Sequence, residues 1–123
     1  MRQQKSSTQN NMSEIKEIIN ALTKFRDERD WKQFHNSKDL SIALSIEVAE
    51  LNELFLWKNG DDIKNIDLSK IEEELADVLI YAFLLADRNN LDVKEIIMHK
   101  IRRNGDKYPV DKAKGSSKKY TEL

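Results

Sequence analysis

One proline, Pro109, and three glycines, Gly60, Gly105 and Gly115, are all that punctuate 123 residues. Proline and glycine end helices and supply the tight turns that a β-sandwich needs in number. Long stretches without either predict an all-α chain. At 39% hydrophobic and 35% charged residues, there is apolar material for one modest core and no need of a second domain. Ile15, Ile18, Ile19, Leu22 and Phe25 recur at helical spacing, so a first helix is expected from about Ser13. Asn36 or Ser37 can cap a second helix running to about Trp57. Ser69 with Glu72 gives the S-x-x-E capping signature of a third, ending near Arg88, and Asp92 with Glu95 repeats the pattern for a fourth that stops before Tyr108-Pro109. Four helices on short connections predict a four-helix bundle. Residues 1–12 are polar and aperiodic and are expected to be disordered, residues 13–110 to form the helical domain, and residues 111–123 to be a basic tail.

Net charge excludes little and attracts nothing in bulk. A formal charge of -1 offers no general pull on nucleic acid or on an anionic membrane, so any polyanion must be met by a local site. No DNA, RNA or membrane partner is expected. The chain has no cysteine, which removes disulfides and thiolate chemistry. No run approaches the ~20 apolar residues of a membrane span, and MRQQKSSTQNN lacks the apolar core of a signal peptide. A soluble cytoplasmic protein is expected.

The residues that point to chemistry lie in SIEVAELNELFLW, residues 45–57. With roughly 100° of rotation per residue, Lys38, Ser41, Ser45 and Asn52 share one narrow wet arc. Glu47 and Glu50 fall nearly opposite, among Leu40, Ala43, Leu44, Leu51, Leu54 and Trp57. On the third helix, Ile71, Leu75, Val78, Leu79 and Ala82 form the expected core stripe, with Glu74 and Asp77 beside it and Glu72 and Glu73 turned away. Each pair is spaced i, i+3 and so stacks along one helix face. If the two helices pack face to face, four carboxylates converge. Buried ionised acids cost several kcal/mol each unless paired or bound to a metal. Carboxylates without His or Cys select Mg²⁺ or Mn²⁺ over zinc, and such a metal completes its shell with water and substrate phosphates. Interhelical salt bridges with Lys or Arg are the structural alternative.

E-V-A-E at 47–50 followed by E-L-A-D at 74–77 resembles the E-x-x-E, E-x-x-D signature of the all-α MazG-like nucleotide pyrophosphohydrolases. RDWKQFH, EVAELNELFLWK, EELADVLIY, KYP and SSKKYTEL are similar to their dCTP pyrophosphatase branch, over roughly residues 13 to 123. The resemblance implies Mg²⁺-dependent hydrolysis of a nucleoside triphosphate between its α and β phosphorus atoms, most simply dCTP or a 5-substituted dCTP. The same chemistry on dUTP or another pyrimidine nucleotide is the nearest alternative. It also implies a homotetramer with active sites shared between subunits. Two positions depart from the branch: Leu22 stands where it tends to carry a His, and NGDK at 104–107 replaces an arginine-rich stretch.

By this resemblance Glu47, Glu50, Glu74 and Asp77 hold the metal and carry catalysis, with one glutamate orienting or deprotonating the attacking water. Trp31, Trp57 and Tyr81 resemble the base and sugar pocket, where flat rings stack on a pyrimidine. His35 is either part of that pocket or a turn residue satisfied by backbone. Asn104 matches a cytosine-reading amide, which offers a donor and an acceptor to the base edge; a helix C-cap before Gly105 is an equally simple reading. Arg103, Lys107, Lys118 and Lys119 are candidate triphosphate partners. The second helix is apolar on two flanks, and self-association is the simplest cover. A non-catalytic helical adaptor, its acids binding basic partners, is the rival from another class.

Overall fold

The computed structural model describes residues 12–123, so the expected disordered segment falls outside the described residues except for Met12. The described residues are helical, with no strand among them, and all four expected long helices form. The chain divides into two compact units, the first ending at Leu91 and the second running Asp92–Leu123.

In the first unit, α1 (Glu14–Glu28) begins where Ser13 accepts the Lys16 amide at 3.2 Å, and Glu14 and Glu17 complement the positive end of its dipole. The helix ends in a tight reversal. Asp30 takes a positive φ of 54°, which lets the Arg29 and Trp31 amides both donate to the Arg26 carbonyl, at 3.2 and 3.1 Å. A 3₁₀ turn over Lys32–Phe34 leads to α2 (Ser37–Glu53). Asn36, one of the two expected caps, accepts the Asp39 amide at 2.8 Å and donates its own amide to the Asp39 carboxylate at 2.7 Å.

The second helix stops four residues short of the expected end. From Leu54 to Leu56 the amides donate three residues back, to Leu51, Asn52 and Glu53, a tightening that winds the helix down. Trp57 then adopts φ 61°. A short helix, α3 (Asp61–Lys64), leads to α4 (Leu68–Arg88). The cap of α4 is Asp67 and not Ser69: one Asp67 oxygen accepts both the Ser69 amide, at 3.0 Å, and the Ser69 hydroxyl, at 2.8 Å. A carboxylate competes better than a hydroxyl for this position because its charge also meets the dipole. At the other end Asn89 donates to the Leu85 carbonyl and to the Ser37 hydroxyl, at 2.9 and 3.0 Å, tying the end of α4 to the start of α2.

α2 lies along α4, and α1 packs on α4 as well. Leu40, Leu84 and Ala86 are buried there. Leu75 and Leu79, expected in the core stripe, are exposed instead, as are Ile42 and Ile46 of α2, with Ile46 and Leu79 at 54% and 46%. Among the described residues of the first unit, no element covers these flanks.

In the second unit, α5 (Val93–Lys107) starts at Asp92, which accepts the Glu95 amide at 2.9 Å as expected. The helix continues through Gly105 and is capped by Tyr108, whose amide donates to the Asn104 carbonyl at 2.8 Å. The C-cap reading of Asn104 therefore fails. The tail has structure of its own: α6 (Val110–Ala113) follows Pro109, and a 3₁₀ turn covers Tyr120–Glu122. Tyr120 meets Tyr108 edge to face at 6.0 Å, and the Lys107 ammonium stands 4.9 Å from the Tyr120 ring centre.

Candidate active site

Packing α2 against α4 brings three of the four acids together. Carboxylate oxygens of Glu47, Glu50 and Glu74 lie within 4.8 Å of one another. Glu47 and Glu74 are half-buried, whereas Glu50 is exposed, so only one of the two inward-pointing acids of α2 is withdrawn from water. Asp77 stands outside this trio but near enough that its charge raises both Glu47 and Glu74. Burial, then a shared hydrogen bond and charge from Glu50, push the Glu47 carboxyl up to about 7. Burial, followed by the Glu50 charge, raises Glu74 as well. Like charges at this separation disfavour joint ionisation unless a cation joins them.

One oxygen of Glu47 and one of Glu74 are buried without a hydrogen-bond partner among the described residues. Buried polar atoms are rarely left so. No lysine or arginine forms a salt bridge with these acids among the described residues; the ion pairs present involve Lys24, Arg26 and Lys38. The interhelical salt-bridge alternative finds no support in that pattern. Hard oxygens without His or Cys, two of them orphaned, fit a divalent cation.

Beside the acids a cavity of about 250 Å³ is lined by Glu47, Asp77, Trp31, His35 and Tyr81 together with Leu22, Phe25, Arg26, Ile80 and Leu84. Trp31 is positioned by the hydrogen bond its backbone N–H donates to the Arg26 carbonyl and by an edge-to-face contact with Phe25 at 5.8 Å. Burial, then the nearby Arg26 charge, lower the His35 pKa and so favour the neutral imidazole, whose buried Nδ1 has no partner among the described residues. Among the described residues no backbone group meets Nδ1, which gives the turn-residue reading of His35 no support.

Trp57 does not border this cavity; it projects from the turn after α2 with 88% of its surface exposed. Asn104, Lys107, Lys118 and Lys119 belong to the second unit. Sequence reasoning missed Arg26, which is 5% exposed, donates from Nε to Asp27 at 2.8 Å and from Nη1 to Asp87 at 3.1 Å, and forms part of the cavity wall. Its place on the first helix, one turn after Leu22, was the available signal.

Hard anionic oxygens set against a cavity of flat rings, on an all-helical frame, are the parts of a nucleotide pyrophosphohydrolase. Residues 42–123 match the MazG-like family. Over 114 residues the chain is 40% identical to human dCTP pyrophosphatase 1 and 39% identical to its mouse counterpart, covering 89% of this chain and 67% of each relative. A crystal structure of a pyrophosphatase from Archaeoglobus fulgidus superposes with a TM-score of 0.75 at 36% identity, over 81% of this chain and 96% of that one. The chain belongs to the MazG-like family, and it is an enzyme of the nucleotide pyrophosphohydrolase class.

Proposed function

We propose that the enzyme hydrolyses a deoxynucleoside triphosphate, most simply dCTP or a 5-substituted dCTP, to the monophosphate and pyrophosphate, and so cleans the cytoplasmic nucleotide pool. The observation that carries this reading is the pair of orphaned, buried carboxylate oxygens on Glu47 and Glu74 beside a cavity walled by Trp31 and Tyr81. Names of the relatives, dCTP pyrophosphatase 1, supply the nucleotide.

Glu47, Glu50 and Glu74, with Asp77 adjacent, are the residues that would hold Mg²⁺, with Mn²⁺ a possible substitute. Such a cation supplies positive charge to the phosphate oxygens, whose own charge otherwise repels a nucleophile. The rest is work for side chains. Trp31 and Tyr81 offer ring faces to the base and sugar. A glutamate of the cluster accepts a proton from the water that attacks the α phosphorus as the bond to the bridging oxygen breaks, a role to which a raised carboxyl pKa is suited. Trp57, Asn104, Lys107, Lys118 and Lys119 are proposed substrate contacts on the family resemblance. For Trp57 and the lysines a neighbouring subunit of a homotetramer is the natural setting.

Hydrolysis of a panel of dNTPs and NTPs, with and without Mg²⁺, tests the proposal. Monophosphate plus pyrophosphate, with a pyrimidine deoxynucleotide cleaved best, is expected. A best rate on dUTP shifts the substrate within the same chemistry. No hydrolysis of any nucleotide, with or without metal, leaves the adaptor reading.

A further inference from the structure

The acid cluster lies between two cavities on the seam of α2 and α4. Ser37 meets Asn89 at one end, Glu47 and Glu50 meet Glu74 midway, and Leu54 shares a cavity with Lys70 further on, so the helices run antiparallel. On α4, Lys70, Glu74, Asp77 and Tyr81 follow at intervals of four, three and four residues, which puts them on one helix face. Glu47, Glu50 and Leu54 share a face of α2 in the same way. Glu47, Asp77 and Tyr81 line the aromatic cavity. Leu54 and Lys70, each four residues and so about 6 Å from an acid of the cluster, line a second cavity of about 290 Å³ together with Lys58 and Ile66. Asp62 and Asp67 also border it, but Asp67 commits one oxygen to the Ser69 amide and hydroxyl as the cap of α4. Neither Lys58 nor Lys70 forms a salt bridge among the described residues, and both are exposed. Along the seam the order is therefore rings, acids, lysines.

A nucleoside triphosphate has its parts in the same order. With the base among the rings and the α–β bond beside the acids, the β and γ phosphates extend along the seam in the remaining direction, toward the lysines. When water attacks the α phosphorus, the bridging oxygen leaves on the pyrophosphate with the electron pair of the broken bond, and negative charge gathers there. A lysine ammonium, a compact charge with three rotatable donors, suits such a group. We propose that Lys58 and Lys70 form the subsite for the β and γ phosphates and for the pyrophosphate that leaves. This subsite rests on the hydrolase reading. Pyrophosphate offers several anionic oxygens, so the two lysines add to the contacts proposed for Lys107, Lys118 and Lys119 and displace none of them.

The test compares wild type with Lys58→Gln, Lys70→Gln and the double variant. Lys64→Gln, which removes a charge of α3 outside the cavity, is the control. All three lysines are exposed, so the variants should fold and melt with wild type. Calorimetry measures equilibrium binding of pyrophosphate and of dCMP, each with and without Mg²⁺, and kcat and KM for dCTP are measured alongside. Lys58→Gln and Lys70→Gln are each expected to weaken pyrophosphate binding and to lower kcat/KM for dCTP by about tenfold, the loss typical of a hydrogen bond to a charged group, with dCMP binding held within about twofold. The double variant should lose more than either, and Lys64→Gln should match wild type. Unchanged pyrophosphate affinity in the double variant, or an equal fall for dCMP and pyrophosphate, overturns the subsite and leaves the hydrolase reading intact. Wild type that binds no pyrophosphate under any of these conditions overturns it as well. Wild type that binds pyrophosphate through both lysines yet cleaves no nucleotide supports the anion site and overturns the hydrolase reading instead.

Discussion

Glu47 carries two opposite liabilities, one without a cation and one with it. Held up to about 7 against an ordinary value of 4.5, mainly by burial and then by Glu50, it keeps a proton in the folded protein at pH values where the unfolded chain has released it. Metal-free stability therefore falls as pH rises from about 4.5 to about 7. Thermal unfolding in EDTA should show a lower melting temperature at pH 8 than at pH 5.5, and Glu47→Gln should flatten the difference and melt no lower than wild type at pH 8. The same variant should lose nearly all Mg²⁺-dependent turnover. A variant that melts lower in EDTA yet keeps full activity refutes the metal-ligand role of Glu47. For Asn104, replacement by Ala should lower discrimination of dCTP against dTTP by an amount equivalent to about 1 to 3 kcal/mol; the ratio of the two specificity constants checks it. The acids were legible in the sequence because a charge in an apolar helical sector is visible from rotation alone. Arg26 was not, since it reads as one more cation near a helix end, and of the two anions that hold it, Asp27 and Asp87, the second is 61 residues away.

Among the elements, the boundaries misread were the end of α2 and the start of α4, whereas α4 and α5 end where expected, at Arg88 and before Tyr108. Asn36 and Asp92 cap as expected because a short polar side chain three residues before a free amide has few other uses. The end of α2 was obscured by Leu54, Phe55, Leu56 and Trp57, whose apolar run continues the helical pattern while the backbone has already tightened. Two cap-competent residues, Asp67 and Ser69, stand within one turn at the start of α4, and only the hydrogen bonds separate them. Asp67→Ala should cost about 1 kcal/mol, as a lost N-cap does. Ser69→Ala, which removes the hydroxyl but keeps the backbone N–H that donates to Asp67, should cost clearly less. Chemical denaturation of the two variants side by side measures the difference, and equal losses contradict the assignment.

For the molecule as a whole, an all-helical chain was legible from four capped apolar segments, but the rotation of those segments against water was not. Leu75 and Leu79 read as core because hydrophobic spacing does not say whether burial comes from the same chain or from another copy. Their exposure, with that of Ile42 and Ile46, leaves apolar flanks on both helices that carry the acids. A tetramer is the expected state, and light scattering at micromolar concentration checks it. If those flanks are covered only by assembly, then α2 and α4 owe part of their stability to mass action. Dilution then acts as a denaturant: the melting temperature should climb with protein concentration, and turnover per subunit should decline once the enzyme is diluted below the point where the copies part. The working form of this enzyme would then be set by how much of it a cell makes.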